Sequence, residues 1–334
     1  MNKPIITNKG SLIERAAEVY DFSARLNARA IPESDLQAPP VLKPVAPAPV
    51  AEAPKPVEMP RAVVAPAEIP AAPVARPASI PPAALPVPGR QAKIDRDLLA
   101  ENQLLIPGAA IGVLAEEFRL AKRQLLLTAR QLNRHAPDKA RTILVCSAKP
   151  GDGKTYCAIN LAISMAAERD TRVLLVDADF AKPGIMERLG VADGPGLLDA
   201  LADSSIDIEK CVVGTDIPNL SLLSAGARTN ADVELVASGR TPDLIARLLA
   251  ADPDRVVIFD SPPALSASPA SVLALHVGQV MLVVRADKTS EGEIRDTVQR
   301  LEGCEHIQLL LNSVAFAPGG ARFGSYYGQE GEGQ

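Results

Sequence analysis

The chain has 334 residues, of which 47% are hydrophobic and 22% charged, and its 35 basic and 40 acidic side chains give a formal charge of −5. That balance rules out no specific partner but does not suggest a nucleic-acid coat, and any basic surface would have to be local. The four cysteines show no C-x-x-C pair and no scaffold spacing, which points to a reducing compartment.

The first ten residues, Met1–Gly10, are polar and lack the apolar core of a signal peptide. Residues 1–38 hold one amphipathic stretch, 11–30, in which Leu12, Ala16, Val19, Phe22 and Leu26 recur at helical spacing. Alone such a helix is marginal, so it is expected to dock on a partner. Residues 39–90 read as a disordered linker, because 16 of the 30 prolines fall between 39 and 89 among alanines and valines. Nowhere does a run of about 18 uncharged apolar residues suggest a membrane span.

The folding part is expected at 91–315. Its first helix covers 110–135, with Leu114, Phe118, Ala121, Leu125 and Leu126 on one side and Glu116, Arg119 and Lys122 as a charged stripe. Read from the residues alone, that stripe is a solvated face with intrahelical pairs. Beyond it, apolar β-branched runs alternate with helical patterns. Strands are expected at Thr142–Cys146, Val173–Val176, Leu220–Leu223, Val256–Phe259, Val280–Val284 and Gln308–Leu311. Helices are expected at Lys154–Glu168, Ile185–Leu189, Pro242–Ala250, Ser268–Leu275 and Glu291–Leu301. Strands apolar throughout and separated by helices argue a mostly parallel central sheet covered on both faces, the three-layer α/β/α form of a P-loop NTPase. Ligand should then sit beyond the carboxyl ends of the strands.

The run Ala148–Thr155, AKPGDGKT, follows an apolar strand and opens a helix. Gly151 and Gly153 let the backbone wrap phosphate oxygens, and the helix N-terminus faces the anion. Lys154 is expected on the β- and γ-phosphates and the Thr155 hydroxyl on Mg²⁺. Two further runs end in acids: VLLVDADFAKP places Asp177 and Asp179 past one strand, and VVIFDSPP places Asp260 past another. Together with the loop they predict a Mg-nucleotide site. There is no H-R-D or D-F-G, and no dinucleotide G-x-G-x-x-G after a strand. Residues 316–334 form a Gly-rich tail holding two of the four tyrosines, Tyr326 and Tyr327, as candidate phosphoacceptors.

In combination SAKPGDGKT, VDADFAKP, FDSPP, GQVMLVVRA, LLNS and the terminal tyrosine pair resemble the bacterial tyrosine autokinases of exopolysaccharide loci, near the exosortase-associated branch, within the MinD/ParA-like ATPase group. The resemblance implies a non-specific protein-tyrosine kinase. Mg-ATP would donate its γ-phosphoryl to the tail tyrosines, mainly in trans. It implies catalytic roles for Lys154, Asp177 and Asp179, with Asp177 helping to deprotonate the incoming tyrosine. It implies a nucleotide-binding set of Lys149, Pro150, Gly151, Asp152, Gly153, Lys154, Thr155, Tyr156 and Asn312, the last facing adenine. Mg²⁺ would be held by Thr155, Asp179 and Asp260. Glu116, Arg119 and Lys122 fall on the family's E-x-x-R-x-x-R helix, which packs neighbours into a ring or other homo-oligomer. Lys122 stands where the family has Arg, and it lacks the planar fork. Ala181, followed by Lys182, stands where many relatives have Arg. Implied partners are an inner-membrane chain-length or polysaccharide co-polymerase protein and a tyrosine phosphatase, with no nucleic acid. The implied location is cytoplasmic, peripheral at the inner membrane through a partner. Lys149 also occupies the place of the signature lysine of MinD-like ATPases, which supports an alternative: a nucleotide-gated dimerisation switch.

Overall fold

The computed structural model describes residues 89–314; the segment 11–30, the Pro/Ala-rich stretch before Gly89 and Tyr326 and Tyr327 lie outside the described residues. In chain order the elements are β1 (Arg90–Ala92), α1 (Arg96–Glu101), α2 (Val113–Leu132), α3 (Pro137–Ala140), β2 (Thr142–Ser147), α4 (Lys154–Ala166), β3 (Arg172–Asp177), α5 (Ile185–Arg188), α6 (Leu197–Ala202), α7 (Ile208–Cys211), β4 (Val213–Thr215), β5 (Leu220–Leu223), α8 (Asp232–Ala237), α9 (Arg240–Ala250), β6 (Arg255–Asp260), α10 (Pro269–His276), β7 (Gln279–Arg285), α11 (Glu291–Arg300) and β8 (Ile307–Asn312). Every strand and helix expected within these residues is present.

The eight strands form one sheet in the order β1-β4-β5-β3-β6-β2-β7-β8. Only the β4–β5 pairing is antiparallel, so β1 and β4 run against the other six strands. Successive side chains of a strand point to opposite faces, and the core divides accordingly. Leu144, Leu174, Val257, Phe259 and Leu282 join one apolar cluster with α6, α9 and α10. Their neighbours Ile143, Val145, Leu175, Ile258 and Val283 join a second with α2 and α4. This is the three-layer arrangement of a P-loop NTPase.

The sequence pattern misses β1 and β4. Each has three residues, and the run Arg-Gln-Ala has no β-branched side chain. Partners distant in the chain hold β1: it pairs with β4, and Arg90 Nη2 donates to the Ala192 carbonyl at 2.6 Å. Helix α4 ends at Ala166, short of the expected Glu168. The Glu168 carboxylate instead meets Lys122 of α2 at 2.6 Å, a tertiary contact invisible to local spacing.

Among the described residues no helix is long and apolar enough to cross a membrane. For the site, the decisive feature is that β2, β3, β6, β7 and β8 run the same way. Their carboxyl ends bring Ser147, Asp177, Asp260, Arg285 and Asn312 to one edge of the sheet. Asp177 and Asp260 are direct neighbours across the β3–β6 ladder.

Candidate nucleotide site

Between β2 and α4 the chain turns through Gly151 and Gly153, whose φ angles are +84° and +97°. These left-handed conformations favour glycine. At Gly153 there is a second constraint, because an added Cβ would collide with the Asn312 side-chain amide. The loop is fastened from several sides. Asp152 is buried, and its Oδ2 accepts the Lys149 backbone N–H at 3.0 Å. Asn312 Nδ2 donates to the Asp152 carbonyl at 2.9 Å, and Arg285 Nη1 donates to the Gly151 carbonyl at 2.8 Å. The sequence reading did not single out Arg285, although it closes the apolar run of β7 beside the loop. Gly153→Ala should therefore lower ATP affinity tenfold or more, through backbone strain of about 1–2 kcal/mol plus displacement of Asn312. Titration with a fluorescent ATP analogue checks this, and unchanged affinity would mean that the loop does not bind phosphate in this form.

Beside the loop lies a cleft of about 450 Å³ lined by Gly151, Gly153, Lys154, Thr155, Tyr156 and Asp179, together with Lys182, Arg188, Pro262 and Pro263. The N-terminus of α4 opens into it, an arrangement suited to an anion. Lys154 Nζ donates to Asp179 Oδ2 at 2.5 Å and lies 3.5 Å from Thr155 Oγ1. Burial by itself would lower the Lys154 ammonium, but Asp260, then Asp179 and Asp177, outweigh it and hold the group above its ordinary value.

The three acids, alike in the sequence, have different surroundings. Asp177 accepts three backbone amides: Asp179 N at 3.2 Å, Gly184 N at 2.8 Å and Ile185 N at 3.0 Å. It thereby holds the start of α5. Burial pushes its carboxyl up despite these bonds. Asp179 is shared between the Lys154 ammonium and the Lys182 backbone N–H. Asp260 is fully buried, yet neither of its oxygens has a hydrogen-bond partner. Burial pushes its carboxyl up to about 7, against the pull of the Lys154 ammonium and the Thr155 hydroxyl beside it. A buried carboxylate left without a partner is costly and is the feature a bound cation would satisfy. Among the described residues no three or more His, Cys, Asp or Glu side chains form a ready-made metal cage. Mg²⁺ needs none, because it usually takes one or two carboxylates together with substrate phosphates and water. Thr155 and Asp260, with Asp179 nearby, fit that role.

The two cysteines near the site are held as thiols. Burial pushes Cys146 up to about 11 and Cys157 up to about 12, so both stay protonated. The Tyr156 hydroxyl donates to the Gln103 carbonyl at 3.0 Å, fastening α4 to the segment after α1. Lys149 Nζ meets Glu293 Oε1 of α11 at 2.8 Å. Bonded by Lys149 and by Ser290, the Glu293 carboxyl is lowered to about 2.

The expected stripe on α2 is divided by the fold. Arg119 pairs with Glu116 at 2.5 Å within the helix. Lys122 turns inward, 8% exposed, and donates to the Ser164 carbonyl of α4 at 3.0 Å. The three side chains therefore do not form one solvated row.

The AAA domain family model matches residues 140–308, just over half of the chain and all of the site's elements up to β8. The chain belongs to the AAA domain family. Within it, this AAA domain is a P-loop ATPase related to bacterial tyrosine kinases. It is 30% identical over 165 residues to the tyrosine-protein kinase YwqD of Bacillus subtilis, covering 49% of this chain and 68% of that one. It is 32% identical over 174 residues to the putative tyrosine-protein kinase EpsB of Ralstonia nicotianae, covering 52% of this chain. Among solved structures, the BceF tyrosine kinase domain is 30% identical with a TM-score of 0.50, covering 58% of this AAA domain chain and 76% of that one. The chain spans 22% of the length of EpsB and 31% of the tyrosine-protein kinase wzc of Salmonella typhimurium.

Proposed function

We propose that this AAA domain protein is an ATP-dependent protein-tyrosine autokinase of exopolysaccharide synthesis and export, in the exosortase-associated branch of its family. The observation that carries this reading is the pairing of Lys154 with Asp179 at a phosphate loop beside the partnerless Asp260, in a chain 30% identical to a tyrosine-protein kinase. Lys154 and the α4 N-terminus hold the β- and γ-phosphates of ATP. Thr155, Asp179 and Asp260 would hold Mg²⁺, which would neutralise charge on the phosphates. Asn312, next to the loop, faces the adenine. Asp177, set just behind the cleft lining, accepts the phenolic proton as the tyrosyl oxygen bonds to the γ-phosphorus; the bond from that phosphorus to the β-phosphate oxygen breaks and ADP leaves.

The acceptors are Tyr326 and Tyr327, mainly of a neighbouring subunit in a ring or other homo-oligomer built with Glu116 and Arg119, while Lys122 braces their helix against α4. The protein acts in the cytoplasm, held at the inner membrane by a chain-length or co-polymerase partner, and a tyrosine phosphatase resets it. A second reading, a MinD- or ParA-like dimerisation switch, rests on Lys149. In this chain Lys149 is bonded to Glu293 and would have to leave it to reach a second subunit.

Transfer between subunits has a direct test. A Lys154→Met chain with intact tyrosines is mixed with an active chain carrying Tyr326→Phe and Tyr327→Phe. Phosphotyrosine is expected on the Lys154→Met chain. Each phosphate adds about −1.5 to −2 charges at neutral pH, so light scattering should also show a smaller assembly after labelling of the wild type. No label on the Lys154→Met chain, with efficient wild-type labelling at all dilutions, would defeat transfer in trans.

A further inference from the structure

Away from the nucleotide site, the surface chemistry changes most sharply on α2. From Phe118 to Pro137 the sequence has no acidic residue but contains Arg119, Lys122, Arg123, Arg130 and Arg134, in a chain whose net charge is −5. The fold uses two of these cations internally: Lys122 is turned onto α4 and Arg119 is matched by Glu116. Arg123, Arg130 and Arg134 remain exposed, and among the described residues they form no side-chain hydrogen bond or ion pair. Arg134 lies just past the helix end. Helical spacing sets Arg123 and Arg130 in a line, headed by Glu116, beside Leu120 and Leu127, which are 49% and 43% exposed. Gln124 and Gln131 flank the leucines on the other side, with Glu117 at the N-terminal end of the face. Phe118, Leu125 and Thr128 are the buried side of the same helix, so α2 presents a basic, partly apolar face outward from a fixed platform.

We propose that this face of α2 docks directly on an anionic lipid bilayer. Arginine guanidinium groups bond phosphate oxygens in bidentate fashion. The two leucines can enter the headgroup layer while the long arginine stems lie along it. A protein partner would need carboxylates placed opposite each arginine and a pocket for both leucines. A bilayer presents phosphates everywhere along the roughly 10 Å between Arg123 and Arg130 and needs no register. Lys122 ties α2 to Ser164, ten residues along α4 from Lys154 and so about 15 Å from the phosphate loop. Docking by this face therefore leaves the nucleotide cleft open. The contact uses no residue of the nucleotide cleft, so it stands apart from the phosphotransfer chemistry, and it adds to any attachment through a protein partner.

The full-length chain, without nucleotide, is floated with vesicles of phosphatidylcholine alone and with phosphatidylglycerol added, at low and at raised salt. Binding is expected only to the phosphatidylglycerol vesicles and should weaken with salt. At about fivefold per arginine near an anionic surface, the triple variant Arg123→Gln, Arg130→Gln, Arg134→Gln should partition on the order of a hundredfold less. Leu127→Gln should weaken binding without changing its salt dependence. Circular dichroism and ATP binding should be unchanged in both variants, because these side chains are exposed and remote from the cleft. Equal binding to neutral vesicles, no binding, or full binding by the triple variant would overturn the proposal. So would salt-sensitive self-association in sedimentation, abolished by the triple variant and without vesicle binding, which would assign the face to a second copy.

Discussion

Lys154→Met should lower phosphotyrosine formation by about a hundredfold to a thousandfold, the usual cost of removing a charge placed against a transition state. The fold provides one ammonium among three carboxylates: Lys154 is bonded to Asp179 and raised by Asp260 and Asp177 as well. Methionine keeps most of the stem's volume but leaves the γ-phosphate without its cation. It also leaves Asp179 and Asp260 facing each other without that counterion, so the nucleotide, itself anionic, should bind more weakly too. Labelling with Mg-ATP, beside circular dichroism to confirm the fold, measures the effect. Transfer close to the wild-type rate would remove the kinase assignment from this site, while lost transfer with intact nucleotide binding would place Lys154 in the chemical step alone.

Asp260→Asn has the second large effect, and it has two readouts. In the metal-free protein the Asp260 carboxyl is raised from 3.8 to about 7, chiefly by burial. Between those values the folded chain keeps a proton that the unfolded chain has released. Stability therefore falls as pH rises through that window, with a ceiling of about 4 kcal/mol. Asparagine cannot ionise, so thermal unfolding in EDTA should lose this part of its pH dependence, and the variant should outlast the wild type at pH near 8. Adding Mg-ATP should reverse the order, because the wild type gains a cation for its partnerless carboxylate and the variant has no charge to offer. Phosphotransfer by the variant should fall tenfold or more, with a right-shifted Mg²⁺ titration. Identical Mg²⁺ titrations for the two proteins would separate Asp260 from the metal.

What could be read from the sequence alone was local chemistry. The phosphate loop is a run of consecutive residues, and Gly151, Gly153, Lys154 and Thr155 carry its function wherever the chain places them. Four strands, β2, β3, β6 and β7, were legible because strands buried on both faces are apolar almost throughout. The strands β5 and β8 were legible as leucine-rich runs, although the edge strand β8 exposes Leu309 and Leu311, and the helices were legible through their period. The order of those strands was not, nor were β1 and β4. Strands this short exist because of the partners they pair with, and the antiparallel β4–β5 pairing leaves no mark on three residues of Val-Gly-Thr. The acids illustrate the same limit. Asp177, Asp179 and Asp260 each follow an apolar run, yet one is bonded by amides at the start of α5, one by Lys154, and one by nothing. Lys149 and Glu293, or Gly151 and Arg285, are separated by more than a hundred residues. Lys122 belongs by spacing to an exposed stripe and is turned inward only because Ser164 and Glu168 lie beneath it. Residue type and spacing determine which groups are available to bind phosphate. Burial and the identity of each group's partner depend on contacts between distant segments, so only the packed sheet and its helices decide which carboxylate is left open for a cation.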